Sequence, residues 1–117
     1  MTSEEFVDAI KIVVRDASVS GSLNSLRKPA GRKPDSNLVK LSAWFNGLSD
    51  HDKEMLEQVI KYVADISVFS FFAVLDGVAL IENEMDKGEL ELNFVKGEQR
   101  IRLNEPSNPL HDVFNAK

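Results

Sequence analysis

Val68-Phe69-Ser70-Phe71-Phe72-Ala73-Val74-Leu75-Asp76-Gly77-Val78-Ala79-Leu80-Ile81 is the stretch on which the fold turns. Its first eight residues are apolar on nearly every side, so periodicity does not separate a buried helix from a buried strand. Abundant β-branched and aromatic residues before Asp76-Gly77 fit a hairpin that returns through residues 78–81. The helical alternative rests on what precedes the stretch. Met55, Leu56, Val59, Ile60, Val63 and Ile66 share one helical face opposite Lys53, Glu54, Glu57, Gln58, Lys61 and Asp65, and no breaker follows them. Gly77 then serves as the C-terminal cap, and this continuity favours the helix.

Upstream, Ser49 followed by Asp50 and Asp52 marks the start of that helix. A shorter helix precedes it, carrying Leu38, Val39, Leu41, Trp44, Phe45 and Leu48, with Gly47 placed to end it in a left-handed conformation. Thr2-Ser3-Glu4-Glu5 opens an amphipathic N-terminal helix whose apolar face is Phe6, Val7, Ile10, Val13, Val14 and Ala17. Between these helices, residues 18–37 are rich in Ser, Gly, Pro, Asn and basic side chains, with Leu23 and Leu26 as anchors. They read as one long basic loop, a length that raises the expectation of function.

Downstream, Leu90, Leu92 and Phe94 alternate with Glu91, Asn93 and Val95; Lys96-Gly97-Glu98 turns; Ile101 and Leu103 alternate with Arg100 and Arg102. Pro106 and Pro109 stop the sheet, and Leu110–Phe114 forms a terminal helical turn. The expected fold class is α+β, with N-terminal helices packed on a small C-terminal antiparallel β-sheet, in one domain spanning residues 1–117.

The chain has 117 residues, 43% hydrophobic and 28% charged, enough for one compact core. Cysteine is absent, which removes disulfides, thiolate metal sites and thiol nucleophiles. The N-terminus carries acids where a secretory signal carries positive charge, and the stretch 66–81 is shorter than a membrane span; the expected location is cytoplasmic, with no membrane partner. The net charge is −5, unevenly spread. Residues 1–40 hold seven Lys/Arg against five Asp/Glu, and residues 41–117 hold seven against fourteen. This balance disfavours nucleic acid.

Three groups of residues are candidate sites. Asp76, which follows eight mostly apolar residues, is a turn or helix cap, or a buried acid able to work with His111 and Asp112. Arg27, Lys28, Arg32 and Lys33 concentrate positive charge on the predicted loop and suit phosphate oxygens or an acidic surface. Glu89 and Glu91 face Arg100 and Arg102 across the predicted hairpin, as cross-strand ion pairs or as a recognition patch. His51 reads as a surface or capping residue. The acids between Glu82 and Glu91 do not match a calcium-loop spacing, and no nucleotide-binding glycine pattern is present, so no metal and no cofactor is expected.

Trp44-Phe45-x-x-Leu48-Ser49, Phe72-x-x-Leu75-Asp76-Gly77, Gly88-Glu89-Leu90-Glu91-Leu92 and Leu110-His111-Asp112-x-Phe114 together cover most of residues 44–114. This arrangement resembles small bacterial single-domain proteins of accessory or immunity type, a group with no established activity. The resemblance implies no site residue.

The leading functional expectation is a non-enzymatic protein–protein interaction domain, an immunity or regulatory protein binding its partner through an acidic surface. A hydrolase-like enzyme built on Asp76, His111 and Asp112 is the alternative, and a nucleic-acid accessory role through the basic loop is the second. A homodimer fits the amount of apolar surface in residues 68–75.

Overall fold

A computed structural model describes residues 1–116. The fold is α+β, with helices α1 (Ser3–Ile10), α2 (Ala17–Arg27), α3 (Ser36–Asn46), α4 (Asp50–Leu75) and α5 (Leu110–Asn115), and strands β1 (Asn93–Lys96) and β2 (Gln99–Arg102). Residues Lys11–Asp16 form a π-helical turn joining α1 to α2. Where length predicts one core, the chain gathers into two compact units, Val13–Asp65 and a second made of Met1–Ile12 with the residues from Ile66 onward.

In the unit Val13–Asp65, Val19 and Leu23 of α2 and Phe45 of α3 are buried, with Leu26, Leu48, Leu56, Ile60 and Ala64 packed around them. Here the structure corrects the long loop expected over residues 18–37. Val19, Leu23 and Leu26 stand at helical spacing, and burying that row outweighs the poor helix propensity of the serines and Gly21 around it. The remaining connection, residues 28–35, ends at Asp35, whose carboxylate accepts from the Leu38 N–H at 3.1 Å and starts α3. Ser49 caps α4 as expected, its Oγ accepting from the Asp52 N–H at 3.1 Å. Gly47 differs from expectation, with a right-handed φ of −86°.

The second unit holds α1, the C-terminal part of α4, the hairpin and α5. Val7, Val68, Phe72, Leu110 and Phe114 form its core, and the Phe72 ring stands 6.1 Å from Phe6 and 5.9 Å from Phe114. Side-chain bonds tie distant segments of this unit together. Ser3 Oγ donates to the Leu103 carbonyl at 2.6 Å, and Asn108 Nδ2 donates to Glu4 Oε1 at 2.9 Å. At the start of α1, Glu5 N–H donates to Thr2 Oγ1 while Thr2 N–H donates to Glu5 Oε1, a closed capping box.

The ambiguous stretch resolves as helix through Leu75, and residues 78–81 form no strand. Asp76-Gly77 ends the helix: Val78 N–H bonds to the Ala73 carbonyl and Gly77 N–H to the Val74 carbonyl, with Gly77 at φ +79°. That is the Schellman closure, which requires a left-handed residue. The hairpin pairs Asn93 with Arg102, Phe94 with Ile101, Val95 with Arg100 and Lys96 with Gln99. Its two-residue turn has Gly97 at φ +60° in first position, which fits a type II′ turn.

Three outcomes follow from these backbone conformations and the N-terminal cap. Gly77→Ala, with no atom near the added Cβ, destabilises its unit by about 1–2 kcal/mol through conformation alone. Gly21→Ala in helical α2, equally free of contacts, stabilises by about 0.5–1 kcal/mol; urea denaturation measures both. The Thr2 backbone N–H, then the Thr2 hydroxyl, hold the Glu5 carboxyl below the usual carboxylate range. A depressed folded value means that capping is complete above the unfolded carboxyl's range and is lost as pH falls through the folded one. The Glu5 Cα chemical shift in an acid titration is expected to follow that loss, and Glu5→Gln to abolish it.

Candidate functional site

The end of α4 and the start of α5 meet at one carboxylate. α5 follows Pro109, which has no side-chain acceptor for the first amides of the helix. Asp76 supplies that acceptor from the other element: its Oδ2 accepts from the His111 backbone N–H at 2.8 Å and from His111 Nδ1 at 2.6 Å. The Asp76 side chain is 3% exposed, and its Oδ1 is buried with no hydrogen-bond partner among the described residues. The sequence offered a turn or cap, or a buried acid, for Asp76. The structure joins the two, since the residue ends α4 while its buried side chain caps α5.

His111 is oriented rather than merely placed. With Nδ1 against Asp76 Oδ2, Nε2 is the nitrogen left for other partners, and it lies 3.4 Å from Asp112 Oδ1. The Phe69 ring meets the imidazole edge-on, with centroids 6.0 Å apart. The structure therefore brings together all three predicted residues, Asp76, His111 and Asp112.

Both Asp76 and His111 line a cavity of about 640 Å³. Its apolar walls come from Val74 and Leu75 at the end of α4 and from residues 78–81, and its polar wall includes Arg102, Asn104 and Glu105. The lining residues offer an imidazole, carboxylates and cations; none carries a hydroxyl or thiol. Such a set suits binding and proton transfer.

Arg102 and Asn104 fix the far wall. Arg102 reaches Glu89 Oε1 at 2.6 Å and Glu91 Oε1 at 3.3 Å, and the bond to Glu89, foremost, raises its already high pKa. This corrects the expected cross-strand pattern, because Glu89 and Glu91 precede β1 and both pair with Arg102, whereas Arg100 stands opposite Val95. Asn104, 2% exposed, was not singled out in the sequence. Its Nδ2 donates to the carbonyls of Leu75 and Leu90 at 2.7 and 2.9 Å, and its Oδ1 accepts from Leu92 N–H at 2.8 Å and Arg102 Nε at 3.3 Å. A polar residue after an apolar strand end carries no distinguishing pattern, so only the fold reveals this clamp.

The remaining candidates do not join this site. Arg27 closes α2, its Nη1 donating to Asn24 Oδ1 at 3.3 Å, and Lys28, Arg32 and Lys33 are exposed on the connection that follows. His51 is exposed in the first turn of α4. Glu82 Oε2 accepts from Gly88 N–H at 2.9 Å, closing the acidic segment on itself. No group of three His, Asp or Glu side chains able to hold a metal occurs among the described residues. A second hollow, about 520 Å³, lies in the unit Val13–Asp65 beside Arg15, which bonds Asp16 at 3.0 Å and Asp65 at 3.2 Å.

No family model, curated protein or solved structure shows significant similarity to this chain.

Asn104→Ala removes the donor to the Leu75 carbonyl, the closer of two donors to the Leu90 carbonyl, and the acceptor of the Leu92 amide. The expected loss is about 2–4 kcal/mol of stability in urea, with the β1–β2 amides losing protection from exchange first. Asn104→Asp, which keeps the acceptor and discards the donor, is expected to lose the Leu75 and Leu90 bonds selectively.

Proposed function

We propose that this chain is a non-enzymatic interaction protein, which pairs with a second copy of itself through one face of α4 and presents its acidic exterior to a basic protein partner. The observation that carries this reading is a row of large apolar side chains left uncovered on α4. Met55, Val59, Tyr62 and Val63 lie at helical spacing away from the half-buried row of Leu56, Ile60 and Ala64, and Val59 and Tyr62 are 54% and 67% exposed. By length and composition α4 is able to cross a membrane, yet only 17% of its most apolar part is buried.

The amount of uncovered surface supports a second copy. A compact 13.1 kDa monomer exposes about 6,400 Å², and the same mass divided into two separate compact bodies about 7,700 Å². This chain exposes 8543 Å². The surplus over even the divided case is about 850 Å², to which the wholly exposed residues 77–91 contribute along with the uncovered row on α4. Lys61 and Asp65 border Tyr62 and Val63 on α4; a bilayer would have to desolvate them at about 2.5–3.5 kcal/mol each, whereas a protein interface leaves them at its wet rim.

The acidic half of the reading draws on residues 77–91, all exposed, among them Glu82, Glu84, Asp86, Glu89 and Glu91. A field of that sign speeds and orients encounter with a basic surface. Immunity to a toxin or regulation of another protein fits such an exterior, as the resemblance to short bacterial accessory and immunity-type proteins implies.

Sedimentation velocity over micromolar concentrations is expected to show a dimer. Val59→Glu and Tyr62→Glu, on side chains more than half exposed, are each expected to weaken it about a hundredfold while leaving helix content unchanged. A monomer throughout, a dimer indifferent to both substitutions, or partition into lipid vesicles in place of dimerisation would each overturn the reading.

A further inference from the structure

We propose that two copies of the chain pair along α4 in antiparallel order, with Val59 of each copy opposite Met55 of the other, the Tyr62 hydroxyl of each donating to the Asp52 carboxylate of the other, and His51 of each beside Asp65 of the other. This geometry rests on the dimer proposed above and specifies how its two helices meet. Asp52, Met55, Val59 and Tyr62 follow one another at three, four and three residues, a spacing that sets all four on one narrow seam of a helix. All four are exposed. Such a seam matches the contact line of a second helix, and it places one carboxylate and one phenol among apolar neighbours.

The two flanks of the seam are unlike, and that selects the order. His51, Gln58 and Asp65, seven residues apart, run along one side and are all exposed and polar; half-buried Leu56 and exposed Val63 run along the other. Two helices related by a two-fold axis bring like flanks together when antiparallel and opposite flanks together when parallel. Parallel order therefore sets imidazole, amide and carboxylate against Leu56 and Val63, and Asp52 against its own copy in the seam. The first costs desolvation and the second repulsion. Antiparallel order removes both. Leu56 of each copy meets Val63 of the other, and Gln58 meets Gln58. His51 meets Asp65, whose Oδ1 holds Arg15 at 3.2 Å while Oδ2 accepts from the imidazole N–H. Within the seam Asp52 falls opposite Tyr62, so the carboxylate gains a hydroxyl donor. The helix dipoles also oppose, and the acidic first turns of α4, with Asp50 and Asp52, lie at opposite ends of the pair.

The sequence has no cysteine, so introduced thiols report the pairing alone. Asp52→Cys and Tyr62→Cys variants of the full-length protein are oxidised separately and as an equal mixture, and the linked peptides are identified by mass spectrometry. The antiparallel register sets residue 52 of one copy against residue 62 of the other and keeps each about 15 Å along the axis from its own copy. Cross-linking is therefore expected in the mixture, between 52 and 62, at least tenfold above either variant alone. Tyr62→Phe keeps the ring and drops the hydroxyl, and is expected to weaken dimerisation severalfold in sedimentation. His51→Glu, which opposes two carboxylates, is expected to do the same, and adding Asp65→Lys to it to restore most of the loss. Circular dichroism checks that helix content is unchanged in each. Links from 52 to 52 and from 62 to 62 in the separate samples overturn the antiparallel order and leave the dimer standing. No link in any sample, an unchanged dimer in Tyr62→Phe, or a charge exchange that restores nothing overturns it as well, and a monomer of the unaltered protein overturns both the dimer and its geometry.

Discussion

The Asp76 carboxylate stands where a helix least favours negative charge. Carbonyls at the end of α4 point toward it, and the dipole there has the same sign. What holds it in place is the opposite end of another helix: the His111 amide belongs to the unsatisfied first turn of α5, where a negative group is stabilised, and the imidazole adds a second donor to the same oxygen. One atom therefore sets where α5 begins, how the His111 ring is turned and how α4 ends. Gly77 completes the arrangement, because only a residue at ease with positive φ lets the chain leave at that point without disturbing its neighbour.

Asn104 repeats the device one residue earlier. Its amide donates to the Leu75 carbonyl, a group left open by the end of α4, and to Leu90, while its oxygen receives Leu92 and Arg102. Leu75 and Asp76 are thus tied in succession to the hairpin and to α5. A neutral amide is well suited to the first task, since it has both donors and acceptors and pays no charge desolvation. With both ends of the cavity wall fixed by directional bonds, residues 77–91 are free to lie exposed and irregular between them.

Most helices were legible because their signals are local. The Thr2 and Ser49 caps, the α4 row of Leu56 and Ile60 and the closing Gly77 can all be read within one or two turns of chain. The α+β class followed from the order of helices before the hairpin. The long loop failed where local and tertiary preferences disagreed: Ser18, Ser20, Gly21 and Ser22 argue against helix, and the burial of Val19 and Leu23, invisible to composition, decides for it. At the site, Asp76 and His111 were visible as unusual residues, yet the 2.6 Å contact joins positions on separate elements, and no sequence spacing encodes it. Asn104 and the double pairing of Arg102 lay beyond reach for the same reason.

The two features that break ordinary rules, the uncovered row on α4 and the unpartnered oxygen of Asp76, differ in the kind of contact they can accept. Apolar burial is nearly indifferent to direction, so the row of Met55, Val59 and Tyr62 tolerates many geometries of an opposing helix and gains roughly in proportion to area. A carboxylate oxygen held by buried neighbours accepts a donor from a narrow set of directions and responds to one atom. The first is suited to strength of association and the second to fixing the position of a single atom. They belong to different compact units, each with its own core, so the two features draw on separate sets of buried residues.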